Sequence, residues 1–342
     1  MKPMPDYKRD QVILLTESDM RQVSNNKINI IEKLTAPQLL SRIWNRFLSQ
    51  FYYLPNQWVI LLANNQQGKL PSWADFKFVS PPPNCDWADP FILFRDGKHF
   101  IFIEEKSHSS NRGHIVCLTV GKNLEIQSSQ VVLERPYHLS YPFILEYNRQ
   151  LFMIPETAKN HQIELYSCVR FPDQWKFERP LIKNVDAVDA TIINHNDKWW
   201  LFANIVEPGG TSWDTLNLYY SDDPTAGEWT PHPQNPIIKD IHTARPAGNI
   251  QRSNGNLTRP SQDCSIRYGY ATNFNRILKL TETEYEESVN WTHQPPRKGP
   301  LIGTHTWNQA HNLVAIDAIL RRRRTFRLRS RLSIGHKSQG SG

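Results

Sequence analysis

One hairpin pattern recurs along the chain, and its clearest copy is Ala88-Asp89-Pro90-Phe91-Ile92-Leu93, a turn at Arg95-Asp96-Gly97-Lys98, then His99-Phe100-Ile101-Phe102-Ile103-Glu104-Glu105. Short apolar runs bounded by Asp, Asn, Gly and Pro are typical of β-strands joined by tight turns. The pattern returns at residues 140–156 and 188–204, and two looser copies follow at 245–263 and 305–317. The repeat predicts a fold built from five similar units.

Five hairpin units, each about 50–60 residues long, favour an all-β, five-bladed β-propeller in which each unit forms a four-stranded blade. Apolar runs at 114–120, 162–169 and 216–220 supply third strands, and the last unit is short of strands. The run QWVILLA at 57–63 precedes the first unit, so we expect it to complete the last blade and close the ring. A β-sandwich is the competing architecture, but it gives no reason for a polar residue at the start of each repeat.

The chain divides by composition into three parts. Residues 1–54 form an extension in which apolar residues follow helical spacing between 39 and 51, which predicts one amphipathic helix. Residues 55–320 contain the repeats. Residues 321–342 form a basic tail with eight Lys and Arg residues and no acidic residue. We therefore expect an N-terminal helical extension, a propeller and a basic C-terminal tail.

The net charge of +7 comes from that tail. The whole chain has 40 basic and 33 acidic residues, so removing the eight basic residues of the tail leaves 32 against 33. A neutral body offers no extended basic groove, and no nucleic acid is expected as a partner. Basic and apolar residues alternate in the tail, which suits either an outer strand with an arginine-rich face or attachment to an anionic membrane surface.

The four cysteines, Cys85, Cys117, Cys168 and Cys264, form no CxxC pair and no zinc spacing, so we interpret them as reduced thiols. The first residues lack the apolar segment of a signal peptide, and no run approaches the ~20 apolar residues of a membrane span. The expected location is the cytoplasm, peripheral to the inner face of the membrane.

Polar residues stand at equivalent places in the repeats. The inner strand of each blade begins at Asp89, Tyr141, Asp189, Arg245 or His305. The second strands run back to the same rim and end at Glu104-Glu105, Glu156, Asn204, Gln262-Asp263 and Asp317. Carboxylates beside an Arg and a His suit a polyhydroxylated or anionic ligand, and two carboxyl groups can divide acid and base work in glycosyl transfer. Five tryptophans near these starts offer faces for sugar stacking: Trp87, Trp199, Trp200, Trp213 and Trp307. The alternative is that the polar groups cap strand ends and bond to one another, and that the Trp residues belong to the core.

Several motifs carry a family resemblance. They are Trp87-Ala88-Asp89-Pro90-Phe91, His138-Leu139-Ser140-Tyr141-Pro142-Phe143, Pro155-Glu156-Thr157, His232-Pro233-Gln234-Asn235-Pro236, Ala244-Arg245-Pro246-Ala247-Gly248 and Arg259-Pro260-Ser261-Gln262-Asp263-Cys264. Together they resemble the N-terminal domain of glucosamine inositolphosphorylceramide transferases, which also occurs in bacterial proteins of polysaccharide biosynthesis. In the plant members the usual transferase domain is a separate C-terminal one. At the level of the fold, the chain resembles five-bladed furanosidases of the arabinanase and levansucrase type.

The resemblance to furanosidases implies roles for individual residues. Asp89 matches the general base on the first blade, Asp189 matches a second Asp that tunes the acid, and His305 matches a His that can hold a central ion or water. The general acid has no clean match, and the candidates are Asp263, Glu105 and Glu156. Candidate substrate-binding residues are Glu105, His138, Tyr141, Glu156, Arg245 and His305. The sequence contains no metal-binding motif. The resemblance nevertheless allows a central divalent ion near His305, so the cofactor is not assigned.

Other enzyme classes lack their signatures here. The sequence has no Rossmann-like alternation, no Asp-x-Asp motif and no GxSxG nucleophile elbow. We therefore expect a carbohydrate-active propeller that transfers or hydrolyses a glycosyl unit in glycan or glycolipid biosynthesis. The alternative is a non-catalytic glycan-binding module.

Overall fold

The computed structural model describes residues 55–65, 70–207, 209–225 and 228–322. These residues contain 22 β-strands, numbered β1 to β22 in chain order, and two short 3-10 turns, with no α-helix among them. Pro55–Arg322 forms one compact unit. The helix expected between 39 and 51 and most of the basic tail lie outside the described residues. The described part contains no helix long and apolar enough to cross a membrane.

The strands form five separate antiparallel sheets, which are the five predicted blades. The first consists of β3 Cys85–Arg95, β4 Lys98–Ser107, β5 Gly113–Val120 and β6 Ile126–Leu133. The second consists of β7 Ser140–Tyr147, β8 Gln150–Glu156, β9 Gln162–Arg170 and β10 Gln174–Lys183. The third consists of β11 Ala187–His195, β12 Lys198–Ile205 and β13 Thr215–Ser221, with the short β14 Thr230–Pro231 and β15 Ile238–Lys239 beside β13. The fourth consists of β16 Gln251–Ser253, β17 Asn256–Asp263, β18 Ala271–Leu280 and β19 Tyr285–His293.

The fifth blade joins the two ends of the unit. It contains β21 Trp307–Ala310, β22 Leu313–Leu320, β1 Gln57–Asn64 and β2 Lys77–Val79, with β20 Leu301–Gly303 also on β22. Strand β1 pairs with β22 over its whole length, from Gln57 opposite Leu320 to Asn64 opposite Leu313. This pairing confirms the expected ring closure, because it joins the first described strand to the last one in a single blade.

Apolar side chains fill the spaces between neighbouring blades. The inner and second strands are apolar on both faces because each blade packs against a neighbour on either side. Aromatic pairs mark three of these spaces: Phe91 with Phe143, Phe202 with Tyr285, and Phe274 with Trp307. Each fully buried side chain of this size contributes about 1.5–3 kcal/mol relative to exposure.

The first three inner strands share one bulge. Partners step from Ala88–Glu104 to Phe91–Phe102, so β3 has one more residue than β4 at this point. The same extra residue occurs between Ser140 and Phe143, and between Val188 and Thr191. The residue that opens each bulge has a left-handed backbone, with φ of 52° at Asp89, 43° at Tyr141 and 56° at Asp189. Such conformations are costly for residues other than Gly. The backbone is therefore strained at the three positions whose side chains the bulge orients.

Candidate active site

Two rings of polar residues surround one end of the propeller axis. The inner-strand ring is Asp89, Tyr141, Asp189, Arg245 and His305, and all five residues are at most 7% exposed. The second-strand ring is Glu104, Glu156, Asn204, Gln262 and Asp317. Contacts between blades link the two rings, so the structure brings the predicted starts and ends of the strands together.

His305, Asp317 and Asp89 form one hydrogen-bonded group between the fifth and first blades. His305 Nδ1 lies 2.6 Å from Asp317 Oδ2 and 3.7 Å from Asp89 Oδ1. The backbone N–H of Asp89 donates to Asp317 Oδ2 at 3.0 Å, and the Thr306 hydroxyl donates to Asp89 Oδ1 at 2.7 Å. Asp317 therefore fixes both the imidazole and the backbone from which the Asp89 side chain extends.

Asp189 and Arg245 form the second group, between the third and fourth blades. Arg245 Nε donates to Asp189 Oδ2 at 2.6 Å, and Gln262 Nε2 donates to the same oxygen at 3.0 Å. Another guanidinium nitrogen of Arg245 lies 3.8 Å from Glu156 Oε2. One buried cation thus faces carboxyl groups from two other blades.

Tyr141 connects the blades through its hydroxyl. That hydroxyl shares a 2.7 Å hydrogen bond with Thr191 and accepts another of 2.7 Å from the N–H of Gly248. The backbone N–H of Tyr141 donates to Asp89 Oδ2 at 3.2 Å. Tyr141 is fully buried, so it supports the site from inside and its ring is not open to a ligand.

Two aromatic residues that the sequence analysis missed lie against the site. Trp58 on β1 stacks on His305 with ring centroids 4.0 Å apart, and Tyr268 meets His305 edge-on at 5.2 Å. The Arg245 guanidinium lies 5.0 Å from the centre of the Tyr268 ring. The apolar pattern of the run at 57–63 predicted a strand. The role of Trp58, however, depends on the ring closure that brings residue 58 to residue 305.

Burial gives the carboxyl groups of the site different pKa values. It raises the pKa of Asp89 to about 6, with His305 opposing the rise and Asp189 and Asp317 adding to it. Burial and the charge of Asp189 raise the pKa of Glu156 to about 8 in spite of Arg245. At neutral pH, Asp89 is therefore mostly ionised and Glu156 mostly protonated, which is the division that acid–base catalysis by two carboxyl groups requires.

A second carboxyl group with a raised pKa lies nearby. Burial, followed by the charges of Asp89 and Glu156, raises the pKa of Glu104 well above its ordinary value. Glu104 Oε1 lies 3.3 Å from His138 Nε2. The N–H of Gly113 donates to His138 Nδ1 at 2.9 Å, and burial lowers the pKa of His138 to about 4. The neutral ring therefore carries its proton on Nε2, facing Glu104.

At two strand ends, Glu104-Glu105 and Gln262-Asp263, the residue that faces the axis differs from the predicted one. Glu105 accepts a hydrogen bond of 2.6 Å from Trp87 and lies 3.3 Å from His114, and these contacts belong to the face opposite Glu104. Asp263 accepts from the N–H of Ser265 and lies 3.4 Å from His242, whereas its neighbour Gln262 reaches Asp189. The structure thus replaces Glu105 by Glu104 and Asp263 by Gln262, because successive residues of a strand point to opposite faces.

The tryptophans proposed for sugar stacking separate into two groups. Trp87, Trp200 and Trp307 are at most 4% exposed and belong to the core. Trp213 is half-buried and lies beside Tyr268, with ring centroids 6.1 Å apart. Trp213 therefore lies at the rim of this site.

Some buried polar atoms at the axis have no hydrogen-bond partner among the described residues. They are both amide atoms of Asn204. Buried polar atoms are almost always satisfied by protein or by ordered water. The second-strand ring thus leaves hydrogen-bonding capacity for water or for the hydroxyl groups of a ligand.

Asp89, His305 and Asp317 are close enough to hold a metal ion, since one donor atom from each lies within 4.8 Å of the others. The donors are, however, already engaged by protein groups. Asp317 accepts from the N–H groups of Asp89, His305 and Thr306, and Asp89 accepts from Thr306 and Tyr141. A resident divalent ion does not fit this arrangement without breaking several of these bonds, so we derive no step through a metal.

Comparisons with known proteins identify relatives of this chain. The family model described as "Glucosamine inositolphosphorylceramide transferase 1, N-terminal" matches residues 76–318. Glucosamine inositolphosphorylceramide transferase 1 of Oryza sativa subsp. japonica is 34% identical over 226 residues, which cover 65% of this chain and 30% of the rice protein. The protein of the same name from Arabidopsis thaliana is 32% identical over 231 residues, covering 66% of this chain and 29% of that protein.

Solved structures of glycoside hydrolases align with this chain at low sequence identity. The family 117 glycoside hydrolase Zg3597 of Zobellia galactanivorans aligns with a TM-score of 0.48 and 12% identity, over 77% of this chain and 90% of that one. The chain spans under a third of the length of the plant relatives. The match to the family model covers most of the chain, so the chain belongs to the family of glucosamine inositolphosphorylceramide transferase N-terminal domains.

Proposed function

We propose that this propeller acts on the glycan headgroup of a glycolipid, transferring or hydrolysing a glycosyl unit at the axial site. The plant relatives are named for transfer to inositolphosphorylceramide, which suggests a headgroup of that class. The observation that carries the proposal is the pair of buried carboxyl groups with different pKa values, about 6 at Asp89 and about 8 at Glu156.

In the proposed reaction the two carboxyl groups move one proton each. Glu156 gives its proton to the glycosidic oxygen as the bond from that oxygen to the anomeric carbon breaks. Asp89 takes the proton of the attacking hydroxyl, from water or an acceptor sugar, as the new bond to the anomeric carbon forms. Arg245 stabilises the carboxylate that Glu156 becomes, and it also holds Asp189 in place. Proton exchange with solvent then restores both groups.

A non-catalytic glycan-binding module is the second candidate, and one observation favours it. Both oxygens of Asp89 already accept hydrogen bonds from protein, and the residue is only 5% exposed. A base needs a free lone pair aimed at its substrate. In this alternative, the two rings would bind a sugar through Asn204 and Glu104 without chemistry.

Mass spectrometry of a glycosylated inositolphosphorylceramide separates the two candidates. The purified chain is incubated with the lipid, with and without a mixture of sugar nucleotides, and the mass of the headgroup is followed. A headgroup that gains or loses a sugar with the wild-type chain, but not with Glu156→Gln, supports catalysis. An unchanged headgroup that still binds in calorimetry contradicts catalysis and supports the binding module. The matched control is Glu228→Gln, which makes the same chemical change at an exposed position.

We also propose that the chain works in the cytoplasm, at an anionic membrane surface. The four cysteines are free thiols, which suits a reducing compartment. The segment 321–342 carries eight basic residues and no acid, and each basic residue near an anionic surface contributes about 1 kcal/mol to binding. Such attachment would bring the axial site to a lipid-linked glycan.

A further inference from the structure

A cavity of about 650 Å3 lies at the other end of the propeller axis. Its walls come from the later residues of inner strands, whereas the two polar rings stand at the start of those strands. On β7, for example, Tyr141 belongs to the inner-strand ring and Leu145 lines the cavity. Four residues separate them, which corresponds to about 13 Å along a strand. The cavity is therefore separate from the axial site.

Four of the five blades contribute to this cavity. Phe143 and Leu145 come from the second blade, Ile192 from the third and Ile250 from the fourth, and these residues give it an apolar floor. The indole of Trp199 also lines it and is held edge-on against Tyr147, with ring centroids 5.3 Å apart. A volume of this size lies within the ~300–1,000 Å3 that is usual for small-molecule sites.

The polar lining consists mainly of primary amides: Asn65, Asn194, Asn249, Gln251 and Gln309. Asn65 Oδ1 and Gln251 Nε2 are buried and have no hydrogen-bond partner among the described residues. One is an acceptor and the other a donor. Buried polar atoms without partners are rare in folded proteins, so their presence in a cavity wall indicates missing partners in the cavity itself.

The charges around the cavity select against ionic ligands. Arg252 and Glu146 both line it and have opposite signs. The guanidinium of Arg252 donates to the carbonyl oxygen of Asn194 at 2.6 Å, so part of its donor capacity is already used. A phosphate or a nucleotide would lack a concentrated positive site here, whereas a neutral ligand does not depend on either charge.

From these features we infer that the cavity is a second binding site, which takes a neutral carbohydrate of one or two residues. Amides supply donors and acceptors to sugar hydroxyl groups, and the apolar floor and the indole contact the C–H faces of the ring. This site is independent of the chemistry proposed for the axial rings.

Saturation-transfer NMR tests this inference on the full chain. The probe is a mixture of methyl glycosides of glucose, galactose, mannose and N-acetylglucosamine at millimolar concentration. We expect at least one glycoside to receive saturation from the wild-type chain. Gln251→Leu keeps the size of the side chain and removes its unpartnered donor, and Ala310→Trp fills the cavity from the fifth blade. Each should reduce the signal at least fivefold.

The matched control, Gln127→Leu, makes the same chemical change on the outer strand of the first blade and should leave the signal within twofold of wild type. The inference is overturned if no glycoside receives saturation from the wild-type chain. It is equally overturned if both cavity variants, folded by circular dichroism, retain the wild-type signal, since binding would then lie elsewhere.

Discussion

Arg245 and Asp189 form a buried ion pair between neighbouring blades, with 2.6 Å between Nε and Oδ2 and side-chain exposures of 8% and 2%. The pair lies between the fourth and third blades, so it links the packing of the ring to the electrostatics of the site. Gln262 supplies a second donor to the same carboxylate oxygen. This relationship makes Arg245 both a structural tie and the cation nearest to Glu156.

Arg245→Met should lower the free energy of unfolding by about 3–5 kcal/mol, because it leaves the Asp189 carboxylate buried without its cation. Urea denaturation measures this loss. The double variant Asp189→Asn/Arg245→Met should recover much of it. Arg170→Met is the matched control, since Arg170 also makes a 2.6 Å contact with a carboxylate, Asp173, but at an exposed position. It should have a much smaller effect on the free energy of unfolding, because water and salt screen an exposed ion pair. Equal losses at the two arginines would contradict the role of burial.

Asp89→Asn should abolish turnover of the glycolipid headgroup, because an amide cannot accept the proton of the attacking hydroxyl. Stability should stay within about 1–2 kcal/mol of wild type, the range of ordinary point substitutions. Single-turnover mass spectrometry and thermal unfolding measure the two effects. Full activity in this variant would remove Asp89 as the base.

The proposed acid and base predict a bell-shaped dependence of kcat/KM on pH. Activity should rise as Asp89 ionises around pH 6 and fall as Glu156 loses its proton around pH 8. In Glu156→Gln the residual activity should lack the alkaline limb and keep the acid limb. An unchanged alkaline limb in that variant would assign the acid to another group, and Glu104 is the nearest alternative.

Glu156 should also make stability depend on pH. Its pKa rises from an ordinary value near 4.5 to about 8 on folding, so between these values the folded state binds more protons than the unfolded state. The free energy of unfolding therefore falls as pH rises through this window. Glu156→Gln removes this dependence, and relative to wild type it should gain on the order of 2–4 kcal/mol between pH 5 and pH 8.

Urea denaturation of both chains at the two pH values gives that difference, in which the other titrating groups cancel. Glu228→Gln, at an exposed glutamate, is the control and should show no such gain. If instead the free energy of unfolding of Glu156→Gln differs from that of wild type by the same amount at both pH values, Glu156 is ionised in the folded state throughout.

The basic tail should bind anionic vesicles. A chain ending at Arg322 retains the described contacts of the last strand, including the bond from Arg322 Nε to the carbonyl oxygen of Pro55. It lacks the six basic residues between 323 and 342. We expect the full chain to co-sediment with vesicles containing phosphatidylserine at low salt and to be released by salt, and the shortened chain to stay in solution. Equal sedimentation of both chains would reject the membrane role.

The sequence by itself determined the fold and the polar ends of its strands. The spacing of the hairpins set the number of blades, because each hairpin must bury two faces and can do so only between similar neighbours. The unpaired run at 57–63 predicted the closure, since an apolar strand needs a partner and the last unit lacked one. Asp89, Tyr141 and Asp189 were recognisable as equivalent because they stand at the same place in each repeat.

The tertiary structure alone decided which polar residues face the axis and how they ionise. One extra residue on β3 shifts its pairing with β4, so Glu104 lies opposite Ala88 and not opposite Asp89. The stacking of Trp58 on His305 joins residues 247 positions apart and exists only because the ring closes. The raised pKa values of Asp89 and Glu156 arise from burial beside charges of other blades, which no local stretch of sequence contains.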